Sequence, residues 1–134
     1  MTQENFQSRL ELKVRDYECD IQGVVNNSVY QQYLEHARHE FLIEKNINFT
    51  ELAKDNINLV VVRVELDYKF PLKSGDTFWI GTSVERASKV RFNFNQSIYR
   101  TSDNKLILQG HVMGTALNER GRPSVPECIN QLFN

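Results

Sequence analysis

Apolar residues along the chain change their period twice. Over residues 9–17, Leu10, Leu12 and Val14 alternate with Glu11, Lys13 and Arg15, the mark of a half-buried strand. Tyr30, Tyr33, Leu34, Ala37 and Phe41 then fall at i, i+3, i+4, i+7 and i+11, which is one face of a helix. Asn26, Asn27 and Ser28 offer capping chemistry for the orphan amides, so the helix is predicted from about Ser28 to Lys45, ending near Asn46. Thr50-Glu51-Leu52-Ala53 adds a short helical turn.

After residue 57 the period returns to two. Val60, Val62, Val64, Leu66, Tyr68 and Phe70 form an apolar row opposed by Arg63, Glu65, Asp67 and Lys69. Pro71–Asp76 reads as a turn. Thr77–Glu85 is a strand with Phe78, Ile80, Thr82 and Val84 on one face. Arg86–Lys89 turns again, and Val90–Arg100 carries Phe92, Phe94, Gln96 and Ile98 on one side. A turn at Thr101–Lys105 leads to Leu106–Leu117, where Leu108, Gly110, Val112 and Gly114 align, and Asn118–Pro126 is a loop. The expected class is α+β: a strand, one long helix that buries its stripe on a sheet face, and a four-strand antiparallel meander.

Composition acts mainly by exclusion. A length of 134 residues predicts one domain, 1–134, able to fold without disulfides or metal. Sixteen basic against seventeen acidic side chains give a net charge of −1, which argues against a nucleic-acid partner. The longest apolar run, Leu59-Val60-Val61-Val62, is far too short for a membrane span. The opening MTQENFQSRL has neither a basic nor an apolar leader region, so no signal peptide is expected. Cys19 and Cys128 suit neither a disulfide framework nor a zinc site, and free thiols fit a cytoplasmic location.

The densest chemistry lies in Tyr17-Glu18-Cys19-Asp20-Ile21-Gln22-Gly23-Val24-Val25-Asn26-Asn27-Ser28-Val29-Tyr30, which joins the first strand to the helix. Free amides at a helix start bind anions and suit a developing oxyanion. A carboxylate held nearby can serve as general base or nucleophile on an acyl group, and Asp20 is the candidate. The bland alternative is that Asp20 and the two asparagines only cap the helix.

These residues resemble a known family. The pattern Asp20-x-x-Gly23-x-Val25-x-Asn27-x-x-Tyr30-x-x-Tyr33, followed by Glu35-x-Ala37-Arg38, resembles the start of the central helix in hotdog-fold acyl-CoA thioesterases. The similarity is strongest to their 4-hydroxybenzoyl-CoA and Tol-Pal-associated thioesterase branch. Asp67-Tyr68-x-x-Pro71-x-x-x-Gly75-Asp76 and Gly121-Arg122-Pro123-x-x-x-Pro126 are similar to later pieces of the same family, so the resemblance spans roughly residues 10–130. It implies an antiparallel sheet of about five strands wrapped around one long central helix. It also implies a homodimer or homotetramer with sites between chains, and hydrolysis of an acyl-CoA thioester to free acid and CoA. No cofactor is implied beyond the CoA of the substrate. Asp20 falls at the catalytic aspartate, Asn27 where a helix-start amide meets the thioester carbonyl, and Gly23, Val24 and Tyr30 at substrate-binding positions. Val24 stands where some members carry a His after the Gly, and Asn27 where others carry one. A non-catalytic hotdog protein that binds acyl-CoA or an acyl carrier protein is the competing expectation.

Glu35 is a second candidate, because one subgroup of the fold uses a helix glutamate; otherwise it pairs with Arg38 or His39. Cys19 has no His marked to activate it and reads as a spectator thiol. His36 and His39 lack a third ligand, so no metal site is expected. Arg86, Lys89 and Arg91 gather at one hairpin turn, and Arg120 and Arg122 lie in the terminal loop. Such cations suit the phosphates of CoA, the alternative being an ordinary charged turn.

Overall fold

The computed structural model describes residues 6–133; Met1–Asn5, part of the opening in which no signal peptide is expected, lie outside them. The first strand, β1, spans Ser8–Lys13, and a 3-10 turn follows at Asp16–Glu18. The long helix α1 runs Asn27–Glu44 and the short α2 Phe49–Lys54. Then come β2 (Asn58–Tyr68), β3 (Thr77–Arg86), β4 (Phe92–Arg100), β5 (Lys105–Leu117) and a terminal turn of helix, α3 (Glu127–Asn130). All strand pairings are antiparallel.

The periodicity marks these elements well, but not their order. The strands lie β1-β3-β4-β5-β2, so β2 pairs with β5 and the expected meander does not form between β2 and β3. Residues 69–76 are a crossover, not a hairpin turn. Leu72 explains it: this side chain is fully buried in the core. Its N–H donates to the Tyr30 hydroxyl at 3.0 Å, and its carbonyl accepts from Val25 N–H at 2.9 Å. The crossover is thereby pinned to the start of α1, while Lys69 and Phe70 N–H groups hold the end of β2 on the Ile107 carbonyl.

A second correction concerns the apolar row of β2. The register slips between Val61 and Arg63, leaving Val62 as the extra residue of a bulge. Leu59, Val61, Val64, Leu66 and Tyr68 stand opposite Ala116, Gly114, Val112, Gly110 and Leu108 and share their face. Val60 leaves the expected row and Val61 joins it, as a one-residue slip requires. The first strand also stops earlier than the alternation suggests. Val14 N–H turns to the Asp76 carbonyl at 2.9 Å, and the chain then enters the 3-10 turn.

Two apolar clusters meet along α1. Near its start, Tyr30, Tyr33, Leu34 and Ala37 pack with Leu72, Phe78, Ile80, Ile98 and Leu108. Near its end, Phe41 and Leu42 pack with Val84, Phe92, Phe94, Val112 and Ile129. Gln96, 1% exposed, lies between them. Its Nε2 donates to the Leu34 carbonyl at 3.0 Å and to the Thr82 hydroxyl at 3.1 Å, which satisfies a polar group in an apolar row.

Candidate active site

The segment between β1 and α1 folds back on itself as a miniature hairpin. Cys19 bridges Val25, Asp20 N–H donates to the Val24 carbonyl at 2.9 Å, and Gly23 N–H donates to the Asp20 carbonyl at 3.0 Å. Gly23 takes φ +82°, a left-handed conformation that side chains oppose even though the space around it is open. Asp20 shapes this turn with one carboxylate oxygen: Oδ1 accepts from Gln22 N–H at 2.9 Å and more distantly from Val24 N–H at 3.4 Å. Among the described residues, Oδ2 has no protein partner. Asp20 therefore does not cap the helix, as the bland reading has it; its side chain is exposed, with one oxygen anchored and one presented.

Capping falls to Asn26, whose side chain accepts from Ser28 N–H at 3.1 Å and whose carbonyl accepts from Val29 N–H at 2.9 Å. The N–H of Asn27, first residue of α1, meets no acceptor among the described residues. It stands at the positive end of an eighteen-residue helix, where an anion is stabilised. Tyr68, at the end of β2, donates from its hydroxyl to the Asn27 carbonyl at 3.4 Å and so ties the edge strand to the helix start. Tyr30 lies in the core beneath, its ring edge-on to Tyr68 at 5.6 Å and its hydroxyl occupied by Leu72. Val24 is half-buried and bridges Lys73 of the crossover.

Glu18 supports the candidate site, a part that sequence reasoning did not single out. Its carboxylate is 9% exposed and accepts from the Tyr33 hydroxyl at 2.9 Å and from Arg15 N–H at 2.8 Å. The Arg15 guanidinium lies 3.6 Å away, and the Glu18 carbonyl accepts from Asn26 N–H. Burial, then the hydrogen bond to Glu18 and its charge, push the Tyr33 phenol far above its ordinary value, so it stays protonated and donates. Glu18 thus clamps the base of the Asp20 hairpin to α1. No spacing rule links residues so far apart, which is why the sequence left it unmarked. Glu18→Ala strands the Tyr33 hydroxyl and should cost about 1–3 kcal/mol, measured by chemical denaturation; an unchanged midpoint would show that the clamp carries no stability.

Beside Asp20, the Cys19 thiol is held above its ordinary value by burial first and then by the charge of Asp16, with smaller contributions from Asp20 and Glu18. A protonated thiol is a poor nucleophile, in line with the spectator role.

A cavity of about 410 Å³ opens along a second face of α1. Gln31, Glu35, Arg38, His39 and Leu42 form its helical wall. Leu59, Val60, Val61 and Val64 of β2 face them, and Phe92, Phe94, Val112, Ile129 and Leu132 close the apolar end. Asn27 heads the same helical stripe, since residues 27, 31, 35, 38 and 42 follow the turns of a helix. Glu35 is exposed and lies 3.8 Å from His39 Nε2, the i+4 partner, rather than against Arg38.

The cation cluster divides. Arg86 donates to the Ser88 and Lys89 carbonyls at 3.3 and 3.1 Å and to the Asn130 side chain, and stacks over Phe133 at 4.8 Å. It secures the β3–β4 turn to the C-terminal segment. Lys89 and Arg91 remain exposed at the same turn.

Residues 14–133 match the Thioesterase-like superfamily. The chloroplastic acyl-acyl carrier protein thioesterase ATL3 of Arabidopsis thaliana is 37% identical over 125 residues, which is 92% of this chain and 66% of that protein. The chain thus spans just under two thirds of that relative's length. The long-chain acyl-CoA thioesterase FadM of Escherichia coli is 33% identical over 76 residues, 57% of each chain. Slr0204, a 1,4-dihydroxy-2-naphthoyl-CoA thioesterase from Synechocystis, superimposes with a TM-score of 0.86 at 19% identity, over 92% of this chain and 93% of that one. With a five-stranded antiparallel sheet around one long helix, the fold is the hotdog fold, and the chain belongs to the thioesterase-like superfamily.

Proposed function

We propose that the chain hydrolyses an acyl-CoA thioester to the free acid and CoA. The observations that carry this reading are a half-anchored Asp20 carboxylate and an unsatisfied Asn27 N–H at the start of α1, both in the segment that joins β1 to the helix. The thioester carbonyl accepts from Asn27 N–H, and the helix end stabilises the oxyanion as it forms. Asp20 Oδ2 either draws a proton from a water that attacks the carbonyl, or attacks it directly to give a mixed anhydride that water then opens. In both routes the C–S bond breaks, thiolate leaves with the electron pair and takes up a proton. Thiolate is a good leaving group, so hydrolysis does not depend on the His that Val24 and Asn27 replace. The helix-start pattern favours the 4-hydroxybenzoyl-CoA and Tol-Pal-associated branch for this chemistry, while the acyl carrier protein thioesterase among the relatives makes a carrier-bound acyl group the other thioester to test. The unpaired thiols of Cys19 and Cys128 suit a cytoplasmic setting.

The site is completed by a second copy of the chain. β2 is an edge strand, and Val61, Val62, Val64 and Tyr68 on it are 51%, 44%, 40% and 47% exposed. An apolar edge with unpaired backbone groups is a template for another strand. Val61 and Val64 also line the cavity, so a partner seated there closes its open side.

Thiol release measured across benzoyl, short, medium and long acyl-CoA esters and an acyl carrier protein thioester tests the function. Release from at least one ester is expected; tight binding of an ester with no release would instead identify a non-catalytic acyl-CoA binder. Lys89 and Arg91, exposed at the β3–β4 turn, are the cations we assign to the CoA phosphates. The Lys89→Ala/Arg91→Ala variant should raise KM roughly three- to fivefold with kcat nearly unchanged, a surface contact being worth about 1 kcal/mol. Equal KM values would return both residues to an ordinary charged turn.

A further inference from the structure

Arg38 is a feature of the cavity that hydrolysis of a plain hydrocarbon chain leaves unused. Its guanidinium lies half-buried in the wall, and burial lowers its pKa from the ordinary arginine value against a smaller opposing effect of the Glu35 charge. Among the described residues no carboxylate lies within ion-pair distance of it. Its one hydrogen bond goes from Nη1 to Gln96 Oε1 at 3.1 Å. Gln96 is not free to reorient, because its Nε2 is committed to Leu34 and Thr82. A buried amide therefore aims the guanidinium, and most of its five donors remain unspent. The nearest carboxylate on the same helix, Glu35, is exposed and turned to His39.

A desolvated cation among apolar walls is costly unless something completes it. Phe92, Phe94 and Ile129 at the closed end offer no acceptor, and exposed Glu35 acts on Arg38 through its charge without a hydrogen bond, which leaves the free donors to a ligand. We propose that Arg38 reads the acyl group, and that the cavity takes a long acyl chain whose far end carries an oxygen acceptor, a carboxylate above all. This rests on the thioesterase reading of the site. Arg38 stands eleven residues beyond Asn27 on the same helical stripe, or about 16 Å along the axis. That is about a dozen carbon–carbon bonds of an extended chain. The apolar walls hold the methylenes, and the planar guanidinium meets a terminal carboxylate through two parallel hydrogen bonds.

The test compares the mono-CoA thioesters of dodecanedioic and tetradecanedioic acids with dodecanoyl-CoA and tetradecanoyl-CoA. Wild type should favour the ω-carboxy esters in kcat/KM by at least about tenfold. In Arg38→Met that ratio should fall to one or below, and Arg38→Lys should restore part of it, since lysine keeps the charge without the fork. A wild-type ratio near one, or a ratio unchanged by Arg38→Met, would overturn the proposal. So would a fall in dimer affinity in Arg38→Met with the ratio unchanged, which would assign the guanidinium to a carboxylate of the second copy. If wild type releases thiol from no ester, the thioesterase reading fails, and calorimetry with the free acids decides Arg38 alone. Tighter binding of dodecanedioate than dodecanoate, lost in Arg38→Met, would sustain it; equal binding would end it.

Discussion

Asp20→Asn should lower kcat for thioester hydrolysis by at least about 10²-fold, the lower end for loss of a general base. The substitution keeps the side chain's size and its Oδ1, so the contact to Gln22 N–H that shapes the hairpin survives. What disappears is the negative charge on the oxygen that no protein donor occupies. Stability should therefore change by less than about 1 kcal/mol, and denaturation must be measured alongside turnover. KM should move little, because in the proposed mechanism the carboxylate acts on the reacting carbonyl rather than on the length of the acyl chain. Glu35→Gln is the companion variant. Glu35 lies in the cavity wall about two helical turns beyond Asn27, so Glu35→Gln should cost far less than Asp20→Asn. A large loss at Glu35 with little at Asp20 would move the chemistry onto the helix, and thiol release unaffected by either would place the site elsewhere.

The elements of this fold were legible because local period decides them. The Tyr30–Phe41 stripe is buried, and the row Phe78, Ile80, Thr82 and Val84 faces the core as alternation requires. The order of strands was not legible, because nothing in Pro71–Asp76 distinguishes a tight turn from a crossover. That choice depends on Leu72 reaching Tyr30 and Val25, forty or more residues earlier in the chain. The bulge at Val62 was hidden for a related reason: a valine-rich run fits either register until β5 supplies the facing residues. At the site, Asp20, Gly23 and Asn27 stood out because turn and helix-start chemistry is local. Glu18 and Arg38 did not, since each takes its meaning from a distant partner, Tyr33 for one and Gln96 for the other. Gln96 was the available signal. It is the single polar member of the row Phe92, Phe94, Gln96 and Ile98, and a buried amide in such a row must have partners.

On the two-copy assembly proposed above, Val62→Lys should leave the protein monomeric at micromolar concentration and remove most of its turnover. Val62 is the bulge residue of the edge strand, exposed in a single chain and absent from the cavity lining, so the change leaves the cavity walls and Asp20 untouched. If two copies join their β2 edges about a two-fold axis, each substitution is met twice. Val62 is 44% exposed in one chain, so withholding the exposed part of two valines from water contributes about 1–3 kcal/mol in all, and the dimer should weaken by about 10- to 10²-fold. Lysine on an edge strand also opposes strand addition directly, because its charge must be desolvated for the edges to pair. Glu65→Gln is the control: its side chain pairs with Arg63, and the backbone edge is unchanged. Analytical ultracentrifugation reads the assembly and thiol release the activity, at matched protein concentrations. Val61 and Val64 lie at once on the exposed edge and in the cavity wall, so if a partner closes the cavity there, kcat/KM should fall with the dimer population. A monomeric Val62→Lys protein with wild-type kcat/KM would show that one chain holds the whole site, and a dimer unaffected by the substitution would place the interface away from β2.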